Sequence, residues 1–271
     1  MLNESIYLSL KHFFTEIYHI LLKSTKDATE IWCETYEIDF LATLDKESIN
    51  DLINKFEFIS RKKGSYTYFY SINKISFIIE ALQVLEFDIK ELSNLINFSG
   101  FEQLIQEILV KNGHYTIKNF RFSDRSYYRK TTKQTKYEID VIGWKEQFLL
   151  LIDAKQWNKR DAFSALNKAA NLQYQRALTL QKNSEILSDL IQSLIGPKNF
   201  LKIKLPIIII PIIVTLEENR ALINENMVPL VSIYKINSFL QELKLNLSYF
   251  KTLKINKISI QKQIFNSFCE S

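Results

Sequence analysis

Residues 137–157, YEIDVIGWKEQFLLLIDAKQW, contain two apolar segments separated by a short polar turn. The segments predict two strands of a hairpin that turns near residues 146–147. Side chains alternate along a strand, so Asp153 and Lys155 are expected on the same face. If the hairpin turns at residues 146–147, residues whose numbers sum to 293 face each other. Asp140 then lies opposite Asp153, with the two carboxylates a few ångströms apart. The stretch therefore predicts a hairpin with a pair of acids at its open end.

Two facing carboxylates destabilise a sheet unless something neutralises them, and a hard divalent cation with oxygen ligands would do so. Lys155 beside that ion would hold or polarise an attacking water. A third acid, Glu102, lies on the helix that precedes the strands. The alternative is that residues 153–155 are only the solvated end of an apolar strand. The second acid at hairpin spacing and the available third acid favour the functional interpretation.

The flanking sequence predicts an α/β domain. An amphipathic helix precedes the hairpin and ends at residues 112–113, and an alanine-rich helix follows at about 160–182. Two further strands are predicted at 205–216 and 228–236, and a closing helix begins at 238–243. The order α-β-β-β-α-β-β favours a mixed β-sheet flanked by helices. We assign this domain to residues 98–245 and a basic tail to 246–271.

These residues resemble the PD-(D/E)xK, or restriction-endonuclease-like, nuclease superfamily, in particular its archaeal Holliday-junction-resolvase-like and type IV restriction-like branches. GFEQLIQEILVKNGH resembles the first helix with its acid, YEIDVIG and LLLIDAKQW resemble the two strands of the site, and VPLVSIYKINSFLQEL resembles the end of the domain. Residue 139 is Ile where the motif has Pro. The shorter Asp153 stands where many members have Glu.

The resemblance implies a phosphodiesterase site. Its metal ligands would be Asp140, Asp153, the Ala154 carbonyl and Glu102, and the cofactor would be Mg²⁺ or Mn²⁺. Lys155 would position the nucleophile. Glu107 is a less favoured alternative to Glu102.

Relatives often carry an accessory polar residue on the next helix. Gln173 and Arg176 occupy that place here. The alternative is that both lie on the solvated side of the helix.

Residues 1–97 predict a mainly helical unit with a hairpin. A helix near the N-terminus and a second one at 45–56 precede two short strands within 58–72, which flank a basic turn. This order resembles a winged-helix module, whose hairpin commonly contacts phosphates. Arg61, Lys62 and Lys63 are then the predicted DNA contacts. A winged helix used for protein interaction or dimerisation is the alternative.

Residues 118–136 contain seven basic residues and one acid, while the whole chain carries a net charge of +5. Because this block precedes the strand with Asp140, we expect it at the rim of the site, with Arg125, Arg129 and Lys130 contacting DNA. A solvated loop is the alternative.

Composition excludes several classes of protein. The longest apolar run has ten residues, whereas a membrane-spanning helix needs about twenty. No secretory signal is expected. Cys33 and Cys269 lie far apart and outside any CxxC pattern, so a structural zinc site or a disulfide framework is not expected. No Gly-rich phosphate loop is present, which disfavours an ATPase of that kind.

We therefore expect a cytoplasmic, Mg²⁺- or Mn²⁺-dependent DNA endonuclease with a winged-helix targeting domain. A non-catalytic DNA-binding or regulatory protein on the same fold is the alternative. Duplex, branched and modified DNA, and RNA, are all candidate substrates. The protein is either a monomer or a homodimer.

Overall fold

The strands form two sheets, and the helices pack around them. The computed structural model describes residues 4–84, 87–124, 136–156, 162–218 and 221–258. Its helices are α1 Glu4–Leu22, α2 Asp39–Ala42, α3 Lys46–Ile53, α4 Lys74–Val84, α5 Ile89–Leu92, α6 Phe98–Lys111, α7 Ala162–Lys182, α8 Ser184–Ile195, α9 Pro197–Phe200 and α10 Ile236–Asn246. Its strands are β1 Glu30–Glu34, β2 Ile59–Lys63, β3 Tyr68–Asn73, β4 Tyr115–Ser123, β5 Lys136–Lys145, β6 Phe148–Lys155, β7 Ile207–Thr215, β8 Leu230–Ser232 and β9 Leu253–Ile255.

The N-terminal part has an antiparallel sheet in the order β1-β3-β2. Helix α3 begins where the sequence predicted, because the Asp45 side chain accepts hydrogen bonds from the backbone N–H groups of Glu47 and Ser48. The predicted hairpin is present as β2 and β3. Strand β1 was not predicted, since its five residues alternate too weakly to stand out from the polar segment around them.

The larger sheet has the order β4-β5-β6-β7-β8, with β9 beside β7. The β4-β5-β6 pairs are antiparallel, β6-β7 and β7-β8 are parallel, and β9 is antiparallel to β7. The predicted mixed sheet flanked by helices is therefore confirmed. Every residue of β7 is buried, as expected for a strand covered on both faces.

Pro211 fits in the middle of β7 because two short strands share one edge of it. Strand β9 pairs with residues 207–209 and β8 with residues 213–215. The Ile213 N–H donates to Pro229 on that same edge. Alternate N–H groups point the same way along a strand, so the N–H that Pro211 lacks would have pointed into the gap between β9 and β8.

Alternating side chains of β6 enter two different hydrophobic clusters. Leu150 and Ile152 pack with α6 and with the N-terminal part, in one continuous cluster that reaches Phe13. Leu149 and Leu151 pack with α7 and α8. The sheet is therefore sandwiched, with α6 on one face and α7 on the other.

Three segments differ from the sequence prediction. Helices α8 and α9 occupy a region where no helix was predicted. Residues 118–123, the first part of the predicted basic block, lie in β4. Residues 253–255, inside the predicted tail 246–271, form β9 because buried Leu253 and Ile255 attach the segment to β7. Among the described helices, none has the length and apolar character needed to cross a membrane.

Candidate functional site

The hairpin of β5 and β6 has the register predicted from the sequence. Val141 pairs with Ile152 and Lys145 with Phe148, and Glu146 adopts a positive φ of 57° in the turn. The next pair outward in this register is Asp140 and Asp153. The turn thus places the two acids at the open end of the hairpin.

Where the β5–β6 backbone pairing ends, the Asp140 side chain takes the place of a backbone hydrogen-bond acceptor. Its Oδ2 accepts a hydrogen bond of 2.8 Å from the Ala154 N–H. On the other edge of β6, the Lys155 carbonyl accepts from Leu216 of the β7 side. Both backbone groups of a strand residue point to the same edge, so the Ala154 carbonyl is directed toward the Asp140 side. Two kinds of oxygen donor, carboxylate and backbone carbonyl, therefore occur on this edge.

Asp153 is only 2% exposed and lies between two cationic side chains. Its Oδ1 accepts a 2.6 Å hydrogen bond from Arg176 Nη1. Its Oδ2 is 2.5 Å from Lys155 Nζ in an ion pair, but receives no well-directed hydrogen bond from the residues that the structure describes. A buried carboxylate needs such charge compensation, because burial without it is costly.

Arg176 is held by Gln173, one turn earlier on α7. Gln173 is fully buried, and its Oε1 accepts from Arg176 Nη1 at 2.9 Å. Within the described part of the chain, Gln173 Nε2 and Arg176 Nε have no hydrogen-bond partner. The alternative that these two residues lie on the solvated side of the helix is wrong. Their spacing of three residues was the available sequence signal, but it did not reveal the contact with Asp153.

Glu102 lies on α6, near the start of the helix, where Asn97 caps the Gly100 N–H. It is 5% exposed. Burial, and then the charge of Asp140, raise the pKa of Glu102 from its usual value near 4.5 to about 7. Burial and then Asp153 also raise the pKa of Asp140. The three acids therefore form one electrostatic cluster, although α6 and α7 lie on opposite faces of the sheet.

The acids nevertheless do not converge as a preformed cage. Among the described residues, no three His, Cys, Asp or Glu side chains are close enough to hold one metal ion. Glu107, the alternative to Glu102, is part-exposed on the same helix. The oxygen donors of Asp140, Asp153 and the Ala154 carbonyl suit a hard cation in type, and among the described residues no donor is directed at the buried Asp153 Oδ2.

A cleft of about 450 Å³ opens next to Arg176. Arg121, Lys136, Tyr137 and Glu138 also line it. Arg121 Nη2 donates to Glu138 at 3.0 Å in an exposed ion pair. The lining carries more positive than negative charge, which suits an anionic ligand.

The predicted phosphate contacts of the N-terminal hairpin divide into two kinds. Lys62 and Lys63 are exposed. Arg61 Nη1 instead donates to Asn50 on α3 at 3.1 Å, and its guanidinium lies 3.8 Å from the ring centroid of Tyr68. Arg61 therefore links the hairpin to α3 by a hydrogen bond. The predicted contacts Arg125, Arg129 and Lys130 lie outside the described residues.

Comparison with models of protein families gives no match, and comparison with curated proteins gives none. Among solved structures, the crystal structure of protein VC1899 from Vibrio cholerae is similar at 14% identity with a TM-score of 0.29. The match covers 89% of this chain and 51% of that chain, so this chain spans about half the length of that protein. A TM-score this low carries no argument about fold or activity.

Proposed function

We propose that this protein is a metal-dependent DNA endonuclease that hydrolyses phosphodiester bonds. The observation that carries the proposal is the arrangement at the open end of the β5–β6 hairpin. Asp140 bonds to the Ala154 N–H, Asp153 is buried on the neighbouring strand, and the Lys155 ammonium lies 2.5 Å from the Asp153 carboxylate. Two acids and a lysine in such contact are a suitable set for phosphoryl chemistry.

In this proposal Asp140, Asp153 and the Ala154 carbonyl hold a Mg²⁺ or Mn²⁺ ion, and Glu102 assists from α6. The ion, when bound, activates water and offsets charge on the scissile phosphate. Lys155 holds the attacking water and donates hydrogen bonds to it. Burial of Asp153 keeps its carboxylate in one position, which limits the reorganisation needed during the reaction.

DNA would be held by phosphate contacts outside the site. We assign part of this role to the N-terminal unit as a winged-helix-like module, supported by the element order α1-β1-α2-α3-β2-β3 and by the exposed Lys62 and Lys63. The positively charged cleft beside Arg176 is the proposed path of the strand that is cut. Such contacts orient DNA without reading its sequence.

The test is a cleavage assay with labelled linear duplex, branched and modified DNA, and with RNA, in Mg²⁺, Mn²⁺ or EDTA. We expect metal-dependent cleavage of at least one DNA substrate, and none by Asp153→Asn purified in the same way. Cleavage that persists in EDTA or in the variant would reject the assigned site. DNA binding without cleavage under all conditions would instead support the non-catalytic scaffold.

A further inference from the structure

We propose that Arg176 is a resident counter-ion of Asp153, which the divalent cation must displace and which then binds a phosphate of the nucleic-acid substrate. The inference rests on the proposed function, because it assumes that Asp153 is a metal ligand. The Arg176 side chain would thus alternate between two anions, the Asp153 carboxylate and a phosphate of the substrate.

In the resting site Arg176 lies between two acceptors. Arg176 Nη1 is 2.6 Å from Asp153 Oδ1 and 2.9 Å from Gln173 Oε1, so one donor group is shared by two acceptors. The Arg176 side chain is 13% exposed and that of Asp153 only 3%. A charge-assisted contact at this distance in a buried site is strong, and it occupies the Asp153 oxygen that Lys155 does not.

A divalent cation would change the charge balance of the site. Lys155 and Arg176 together already balance the charges of Asp140 and Asp153, so only Glu102 remains to offset part of the charge of a divalent ion. A divalent cation bound to these carboxylates would lie a few ångströms from both side chains and would leave an excess of positive charge in a region shielded from water. We therefore expect one of the two side chains to move when the ion binds.

Arg176 is the side chain that moves when the ion binds. The cleft of about 450 Å³ is lined in part by Arg176, so its guanidinium can leave Asp153 without passing through packed core. Its Nε has no partner within the described residues and remains available for a second contact. Lys155, in contrast, holds the attacking water in the proposed function and therefore stays beside Asp153. A guanidinium binds phosphate with two parallel hydrogen bonds, and the cleft is the proposed path of the cut strand.

The experiment measures the affinity for Mn²⁺ by calorimetry, without nucleic acid, in the wild-type chain, Arg176→Met and Asp153→Asn. Removal of the competing cation should lower the Mn²⁺ dissociation constant of Arg176→Met by about tenfold to a hundredfold, the worth of a hydrogen bond to a charged group. A role of Arg176 in folding alone would weaken Mn²⁺ binding rather than strengthen it. Asp153→Asn should lose binding.

Two further variants guard against a folding defect. Gln173→Leu keeps Arg176 but removes the acceptor that holds it, and should tighten Mn²⁺ binding by a smaller factor. Arg121→Met is the matched control: it removes an arginine of the same cleft whose partner Glu138 is exposed, and it should leave the Mn²⁺ affinity unchanged within about twofold. Added Mn²⁺ should also raise the melting temperature more in Arg176→Met than in wild type.

The outcomes separate the two proposals. If wild type binds Mn²⁺, Asp153→Asn does not, and Arg176→Met binds with equal or lower affinity, the counter-ion role is overturned and the metal site stands. If Asp153→Asn binds Mn²⁺ as well as wild type, the metal site itself fails, and the inference fails with it.

Discussion

Asp140 Oδ2 accepts a hydrogen bond from the Ala154 N–H at 2.8 Å, just beyond the last backbone pair of the β5–β6 hairpin. The side chain continues the ladder that the backbone has ended. This contact fixes the Asp140 carboxylate beside the backbone that joins Asp153 to Lys155. It also lowers the pKa of Asp140, in opposition to the larger effect of burial, which raises it. The position of the first acid is thus set by the second strand.

Lys155→Met should reduce cleavage by about 10² to 10⁴-fold with little change in DNA affinity, because a lysine that holds the nucleophile contributes at the level of proton-transfer catalysis. Single-turnover cleavage and fluorescence anisotropy measure the two effects. Lys244→Met is the matched control, since Lys244 pairs with Glu146 at the opposite end of the hairpin in an exposed ion pair. Equal loss of activity in both variants would contradict the assignment.

The metal-free protein should lose stability as the pH rises from about 4.5 to about 7. The pKa of Glu102 is raised to about 7 in the folded state, so the folded protein binds this proton more tightly than the unfolded chain. That stabilisation is complete below the unfolded pKa and disappears as the pH passes the folded one. Glu102→Gln should retain on the order of 1–3 kcal/mol more stability than wild type between about pH 5 and 8.

Urea unfolding at several pH values measures this difference, with EDTA present throughout. Glu107→Gln, a part-exposed acid on the same helix, is the control and should keep the wild-type pH dependence. If Glu102→Gln shows the same loss with pH as wild type, another group is responsible for it.

The two kinds of basic residue in the N-terminal hairpin should behave differently. Neutralising Lys62 and Lys63 together should reduce the slope of log affinity against log salt by roughly 1.8, about 0.9 for each phosphate contact. Arg61→Ala should mainly lower the melting temperature, because Arg61 contacts Asn50 and Tyr68. DNA binding titrations at several salt concentrations and thermal unfolding measure the two effects.

The alternative for this unit is binding to a protein or to a second copy of the chain. In that case the Lys62 and Lys63 double variant keeps its full salt slope and loses self-association in sedimentation. That result would reassign the unit to assembly.

Strand β9 should contribute to the stability of the larger sheet. Leu253→Ala should cost about 2–5 kcal/mol of unfolding free energy, because Leu253 is buried where β9 pairs with β7. Lys254→Ala, the next residue along the strand and exposed, should change it by less than about 0.5 kcal/mol. Urea unfolding measures both. Equal, small effects would show that the segment after residue 246 does not hold to the sheet.

The local pattern of the sequence determined the hairpin and its register. Apolar segments of strand length on either side of a short turn leave few ways to pair, and a shift by one residue would exchange the two faces of each strand. The placement of Asp140 and Asp153 at the open end of the hairpin, the placement of Lys155 beside Asp153, and the mixed sheet all follow from such local signals. The helix that carries Glu102 was equally clear, because its apolar residues recur with helical spacing and it ends at a glycine.

Tertiary structure decided which partners the site residues have. Nothing local to α7 says that Arg176 reaches Asp153, because the two residues are 23 positions apart and their contact depends on how the helix packs on the sheet. In the same way the sequence predicted Arg61 as a phosphate contact, whereas in the structure it contacts Asn50 and Tyr68. Residues 253–255 were predicted as part of a tail, whereas they pair with an edge of β7 as β9. A short strand has too few residues to show a pattern of its own, and a charged side chain does not reveal its partner. Those features depend on packing between distant segments, which periodicity along the chain does not encode.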